Sequence, residues 1–247
     1  MNVNISSKKD EIVKKILYIK ACMKGFIMAK VFDRIINLFK WPIALYMLCS
    51  LPALFTSLDF FHFVNFRYIA LGAGFFMYFI ARTMADSSVK TSMQIVAHEL
   101  THSFFALITF HKIKHIRLDP DGSGGEMGFV GEGNWLIVIA PYFFPLFGFF
   151  YMIIMSYLPE SLVFNGVVGY FLGYHLDTVG SQIHDKQTDL PKVSYKFCWM
   201  FLPGANFWII GSFIAYNSKG WEGIKMYFNL INKLNLKNLE NIINLVF

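Results

Sequence analysis

The sequence predicts an all-α polytopic membrane protein: about six transmembrane helices, with a short Gly-rich β-hairpin between the third and fourth. Three observations carry that expectation. The 247 residues are 55% hydrophobic and 18% aromatic, with 28 Phe and a mean hydropathy of +0.47, a composition foreign to soluble domains. Six apolar stretches each approach the roughly 20 residues that a helix needs to cross a hydrocarbon core of about 30 Å. Basic residues gather at the two ends of the chain, as cytoplasmic tails do.

Residues 1–40 form a basic amphipathic segment in which lysines alternate with Ile12, Ile16, Ile19 and Met23. It carries nine Lys/Arg against Asp10, Glu11 and Asp33, a surplus equal to the net charge of +6. A helix lying on the anionic inner leaflet is one reading, and a partly disordered basic tail is the other. The expected spans are 41–61, 66–84, 87–110, 134–157, 162–183 and 195–216, making a membrane domain over 41–217. Arg67 and Arg82 bracket the second, and the fourth has no charged residue. Between the third and fourth, residues 111–133 read as strand, Gly-rich turn and strand. This is either an exposed loop or an edge to which an extended peptide adds. Residues 218–247 form an amphipathic tail with Lys219, Lys225, Lys233 and Lys237 against Glu222 and Glu240. An even span count then puts both termini in the cytoplasm.

Some function classes drop out. No nucleic-acid motif accompanies the charge, so no nucleic-acid partner is expected. Cys22, Cys49 and Cys198 are isolated, which excludes a disulfide framework or thiolate metal site. The polar N-terminus is not a secretory signal peptide.

His98-Glu99-Leu100-Thr101-His102 carries the chemistry. On a helix, positions four apart share a face about 6 Å apart along the axis, so two imidazoles can hold one Zn²⁺. Glu99 can take a proton from water at that metal. A pair of core histidines joined by interhelical hydrogen bonds is the plainer alternative, but ionisable groups this deep are costly without a metal. The continuation Ser103-Phe104-Phe105-Ala106-Leu107-Ile108-Thr109 lacks the H-x-x-G-x-x-H pattern, and Glu126, Glu132, Glu160, Glu222 and Glu240 fall in loops or tails. Thr101 and Ser103 are expected to bond helix carbonyls. Pro141 and Pro145 are expected to bend the fourth span near the site.

These residues resemble the site-2 protease family of intramembrane zinc metalloproteases, in particular its small bacterial members. The resemblance covers roughly residues 87–205. It rests on the H-E-L-T-H helix, the hairpin after it, Ile139-Ala140-Pro141-Tyr142-Phe143-Phe144-Pro145, Gly173-Tyr174-His175-Leu176 and Gln187-Thr188-Asp189-Leu190. It implies zinc, Glu99 as acid/base, and hydrolysis of a peptide bond in or beside the bilayer. The family's N-x-x-P…D-G segment, which supplies an Asp ligand, is not visible here.

The third ligand is therefore argued from depth. His98 lies about eleven residues past Ser87, roughly 16 Å along the helix, and His175 about thirteen past Leu162, roughly 20 Å. His175 is accordingly the favoured third ligand, and Asp189, which family analogy prefers, is the alternative; Asp177 and Asp185 follow. The function expected is an intramembrane zinc metalloprotease acting on a membrane-anchored protein in a bacterial inner membrane. A non-catalytic membrane protein that binds partners is the runner-up. A membrane zinc hydrolase with a non-protein substrate is a third possibility.

Overall fold

Short polar side chains take a free N–H of the first turn where several of the helices begin. A computed structural model describes residue 14 and residues 23–61, 65–119, 124–184 and 187–246. Ile12, Ile16, Ile19, Asp185 and the hairpin tip at 120–123 thus lie outside the described residues. In chain order the elements are α1 (23–38), α2 (Lys40–Cys49), α3 (Leu51–Thr56), α4 (Phe66–Met84) and α5 (Ser87–Ile108). Strands β1 (Ile113–Leu118) and β2 (Gly125–Phe129) follow. Then come α6 (Trp135–Ile139), α7 (Leu146–Met155), α8 (Leu162–Gln182), α9 (Asp189–Val193) and α10 (Tyr195–Val246). Asn65, Asp86, Asn134 and Ser161 cap α4, α5, α6 and α8 by accepting from Arg67, Ser88, Ile137 and Val163 N–H.

The described residues are mostly helical, with a single two-stranded antiparallel sheet among them. The count of six spans is not reached. One described helix, Tyr195–Asn241, is long and apolar enough to cross a membrane, and Trp135–Tyr142 with Leu146–Met155 makes a second if the pair, bent by 81°, is one span. The shortfall has identifiable causes. Residues 41–61 divide at Ser50, because Pro52 in the first turn of α3 has no N–H to continue the ladder. The Pro141–Pro145 segment breaks 134–157. Helix α5 is diluted by Gln94, His98, Glu99 and His102.

The directions of the helices also differ from simple alternation. Helix α8 packs on α4 with backbone nearly touching backbone: a Cβ on Gly169 would lie 1.9 Å from the Leu71 carbonyl oxygen, so only a missing side chain permits the approach. The pairing runs from Arg67 with Glu160 to Arg82 with Asp177, so α4 and α8 are parallel, whereas second and fifth alternating spans would be antiparallel. Helix α10 breaks at Lys219 and at Gly220, whose φ is 59°. Beyond it the chain folds back on itself: Gly223 lies against Ala215 and Gly211 against Tyr227. The expected surface tail is therefore packed along the body, with Tyr227 and Ile231 buried beside Leu54 and Trp208.

Helices α2 and α3 follow the first half of α10, from Ala44 beside Phe197 to Leu54 beside Trp208. Near the α2 end, Trp135, Leu190, Val193 and Phe197 share one core cluster. That cluster pins α6 and α9, and with them the two loops that complete the site.

Candidate metal centre

Helix α5 presents His98 and His102 on one buried face, as the i, i+4 spacing requires, with their Nε2 atoms 3.0 Å apart. The hydroxyls of Thr101 and Ser103 donate to the carbonyls of Ala97 and Glu99 at 2.7 and 2.8 Å, away from the imidazoles. Asp189 at the start of α9 places Oδ2 3.3 Å from His98 Nε2 and 3.2 Å from His102 Nε2. These three side chains are the described group able to hold a metal ion.

The outer ring nitrogens decide what the centre can take. His102 Nδ1 lies 2.7 Å from the Ile137 carbonyl oxygen, which only accepts. His98 Nδ1 lies 3.0 Å from Gln182 Oε1, and Gln182 fixes that orientation by donating its Nε2 to the Gln94 carbonyl at 3.3 Å. Each Nδ1 therefore carries the hydrogen, and each neutral ring turns its Nε2 lone pair inward. Two lone pairs and a carboxylate oxygen then face one another with no donor between them, an arrangement that calls for a cation. A tetrahedron around Zn²⁺, with bonds of about 2.0–2.1 Å, has edges of roughly 3.3–3.4 Å. The three observed edges are close to that, so the donor set fits a divalent cation with a fourth position left open.

The other carboxylate oxygen of Asp189, Oδ1, accepts from Lys192 Nζ at 2.8 Å. Burial alone would raise its carboxyl. The adjacent His102 and His98 rings and the Lys192 ammonium outweigh burial and hold it below the usual carboxylate range.

Glu99 is buried on α5 next to the imidazoles and lines an open cleft of about 640 Å³ with His98, His102 and Asp189. Strand β2 closes one side. A Cβ on Gly125 would fall 2.9 Å from Glu99 Cγ, so glycine is what lets the strand lie against the carboxylate side chain.

Of the residues singled out in the sequence, the structure brings together His98, Glu99, His102 and Asp189. It leaves His175 out of the group. His175 Nε2 meets Asn206 Oδ1 at 3.2 Å instead, on the far side of a small cavity, about 20 Å³, that it shares with His98. The depth count failed because the starts of α5 and α8 are not level. His98 faces Gln182, seven residues beyond His175, an offset of roughly 10 Å. Asp189 comes within reach without any break in α8, because the chain turns back after Gln182 and buries Leu190 and Val193 in the core. Asp177 is committed elsewhere, accepting from Tyr78 at 2.7 Å, Arg82 at 2.5 Å and Gln94 at 3.1 Å.

A family model described as Peptidase M50B-like matches residues 68–174. This match supports site-2 protease family membership. No curated protein and no solved structure matches the chain. The matched segment holds α5, which carries His98, Glu99 and His102, together with the hairpin and the α6–α7 break. It stops before Asp189, so geometry alone selects the third side chain.

Sequence reasoning missed Gln182, the Ile137 carbonyl and Tyr142, whose ring lies edge-on to His98 at 5.3 Å and whose hydroxyl donates to Gln187 at 3.1 Å. Tyr142 stood within the quoted Pro141–Pro145 motif. No comparable signal marked Gln182, and a backbone carbonyl has none.

Proposed function

We propose that the chain is a membrane-bound zinc metallopeptidase that hydrolyses a peptide bond of a membrane-anchored protein in or near the bilayer. The observation that carries this reading is the triangle of His98 Nε2, His102 Nε2 and Asp189 Oδ2, with both imidazoles locked in the tautomer that faces its centre. Bound there, Zn²⁺ supplies Lewis acidity for both the attacking water and the scissile carbonyl.

The rest of the chemistry belongs to the chain. Glu99 takes one proton as the water oxygen attacks the carbonyl carbon. When the carbon–nitrogen bond breaks, the same carboxyl returns that proton to the leaving amine. Burial beside β2 limits the positions that the carboxylate can adopt and restricts its solvation. Strand β2 lines the cleft with Gly125, Glu126 and Met127, which supports an extended substrate lying along its edge.

We place the protein in a bacterial inner membrane with both termini cytoplasmic. The basic N-terminal segment supports this, as does the fold of α10: Asn235 reaches Ser50, so the later part of the chain returns toward the Lys40 end.

Two variants test the reading. Metal analysis of purified protein should find about one zinc per chain, and none after His98→Ala with His102→Ala. Glu99→Gln should keep the metal and lose cleavage of any substrate. Wild-type protein without zinc would favour the non-catalytic alternative, and undiminished cleavage by Glu99→Gln would refute the role of that residue.

A further inference from the structure

Two motifs singled out in the sequence have no part in the chemistry so far: the break at Pro141 and Pro145, and His175. The structure joins them at Tyr142. The break leaves the Tyr142 carbonyl without a partner in its own segment. Pro145, three residues on, has no N–H to offer, and Leu146 gives its N–H to the Phe144 carbonyl at 3.0 Å. An unpaired carbonyl in an apolar interior is costly. Asn206 of α10 supplies the donor, with Nδ2 3.0 Å from the Tyr142 carbonyl oxygen and 3.0 Å from that of Leu202.

Those two bonds use both hydrogens of the amide, so its oxygen turns toward α8. There Oδ1 accepts from His175 Nε2 at 3.2 Å. All three bonds agree on one orientation of Asn206. His175 is buried, which shields its bond to Asn206 from competing water.

Held in this way, Tyr142 touches both sides of the metal centre. Its buried ring stands edge-on to His98 of α5, with centroids 5.3 Å apart. Its hydroxyl donates to Gln187 Oε1 at 3.1 Å, two residues before Asp189, and lies 3.5 Å from Asp189 Oδ2. Leu190, the next residue along, shares a core cluster with Tyr142. The imidazoles come from one helix and the carboxylate from a separate stretch of chain. Tyr142 bridges the two.

We infer that Tyr142 is a positioning residue that sets the reach of Asp189 toward the two imidazoles, and that the His175–Asn206 pair holds it in place. The inference rests on the metal-centre reading above and deepens it, since it assigns the support of the third ligand.

The test uses the full chain in bilayer discs, with zinc alone as the probe. Tyr142→Phe keeps the ring and loses only the hydroxyl. Its zinc affinity should fall about tenfold, the low end of the loss for an outer partner of a metal ligand. In metal-free protein the same variant should lose amide-exchange protection at residues 187–190, while α4 and α8 exchange as in the wild type. His175→Leu should weaken zinc binding to a similar degree. His175→Gln restores an N–H donor toward Asn206 and should recover it, which a purely structural role would not give. Wild-type zinc affinity in Tyr142→Phe would overturn the inference, as would equal losses in His175→Leu and His175→Gln. Neither readout uses a substrate, so missing peptidase activity would sink the proposed function and leave this inference standing. Wild-type protein that binds no zinc would sink the metallopeptidase reading, and unchanged exchange in Tyr142→Phe would then overturn the tether as well.

Discussion

His98 and His102 lie one turn apart and offer the same atom to the same centre, yet the protein holds them by different means. His98 leans on a side-chain amide, Gln182 of α8, itself oriented by the Gln94 carbonyl. His102 leans on the Ile137 carbonyl of α6, which no substitution removes. Behind that carbonyl stands a buried polar cluster. Asn134 caps α6 at the Ile137 N–H and donates to Asp33 Oδ1 at 2.7 Å, while Asp33 Oδ2 meets His111 Nε2 at 3.1 Å. One imidazole is thus oriented by a replaceable residue, and the other by the fold. Tuning of the centre runs through α8, and its coupling to stability runs through α6 and α1.

The largest effects should not distinguish the two supports. His98→Ala and His102→Ala each leave two protein ligands where three are needed, so metal content should fall to background in both. A variant that kept its metal would show that the remaining ligands suffice and would break the symmetry assumed here. The next effect should separate them. Gln182→Leu removes the acceptor that locks the His98 tautomer and should weaken metal affinity about 10–100-fold. Gln182→Glu keeps an acceptor there and should retain the affinity. Equal loss in both variants would mean that Gln182 acts through packing alone.

The contrast also explains what could be read from the sequence. His98, Glu99 and His102 were legible because a helix brings residues four apart together whatever the rest of the chain does. Asp189 was legible as a candidate and not as a choice. Its position depends on how the chain returns after α8 and on where Leu190 and Val193 find a core, and neither leaves a periodic signal. The span count was the least legible. Apolar stretches show which segments are greasy, but not that Pro52 divides one. Nor do they show that Gly169 lets α8 lie parallel to α4, or that Gly220 folds α10 back. Those outcomes come from backbone approach and local φ, which hydropathy does not encode.

The His102 support predicts an effect of opposite kind. Asn134→Ala removes an N-cap worth about 1 kcal/mol and takes a partner from buried Asp33, costing about 1–3 kcal/mol more. Unfolding midpoints should drop accordingly. Metal affinity should fall less than tenfold, within the lower bound for losing a direct support, because the carbonyl facing His102 Nδ1 remains. Metal loss as large as that of Gln182→Leu would mean that α6 moves when its cap goes, and the distinction between the two supports would collapse.

The smallest effect belongs to the group that both imidazoles share. Without metal, the neighbouring His102 and His98 rings and Lys192 outweigh burial and hold the Asp189 carboxyl below the usual carboxylate range. In the unfolded chain the same group protonates near pH 4. The folded protein therefore keeps Asp189 ionised to lower pH than the unfolded chain does, so the unfolded chain takes up protons first. The contribution of Asp189 is complete at neutral pH, begins to fade as pH falls through about 4, and vanishes below the folded value. Denaturant unfolding of metal-free protein between about pH 3 and pH 7 should show this slope at its acid end, and Asp189→Asn should flatten it. An unchanged slope in that variant would place the acid sensitivity outside the metal centre.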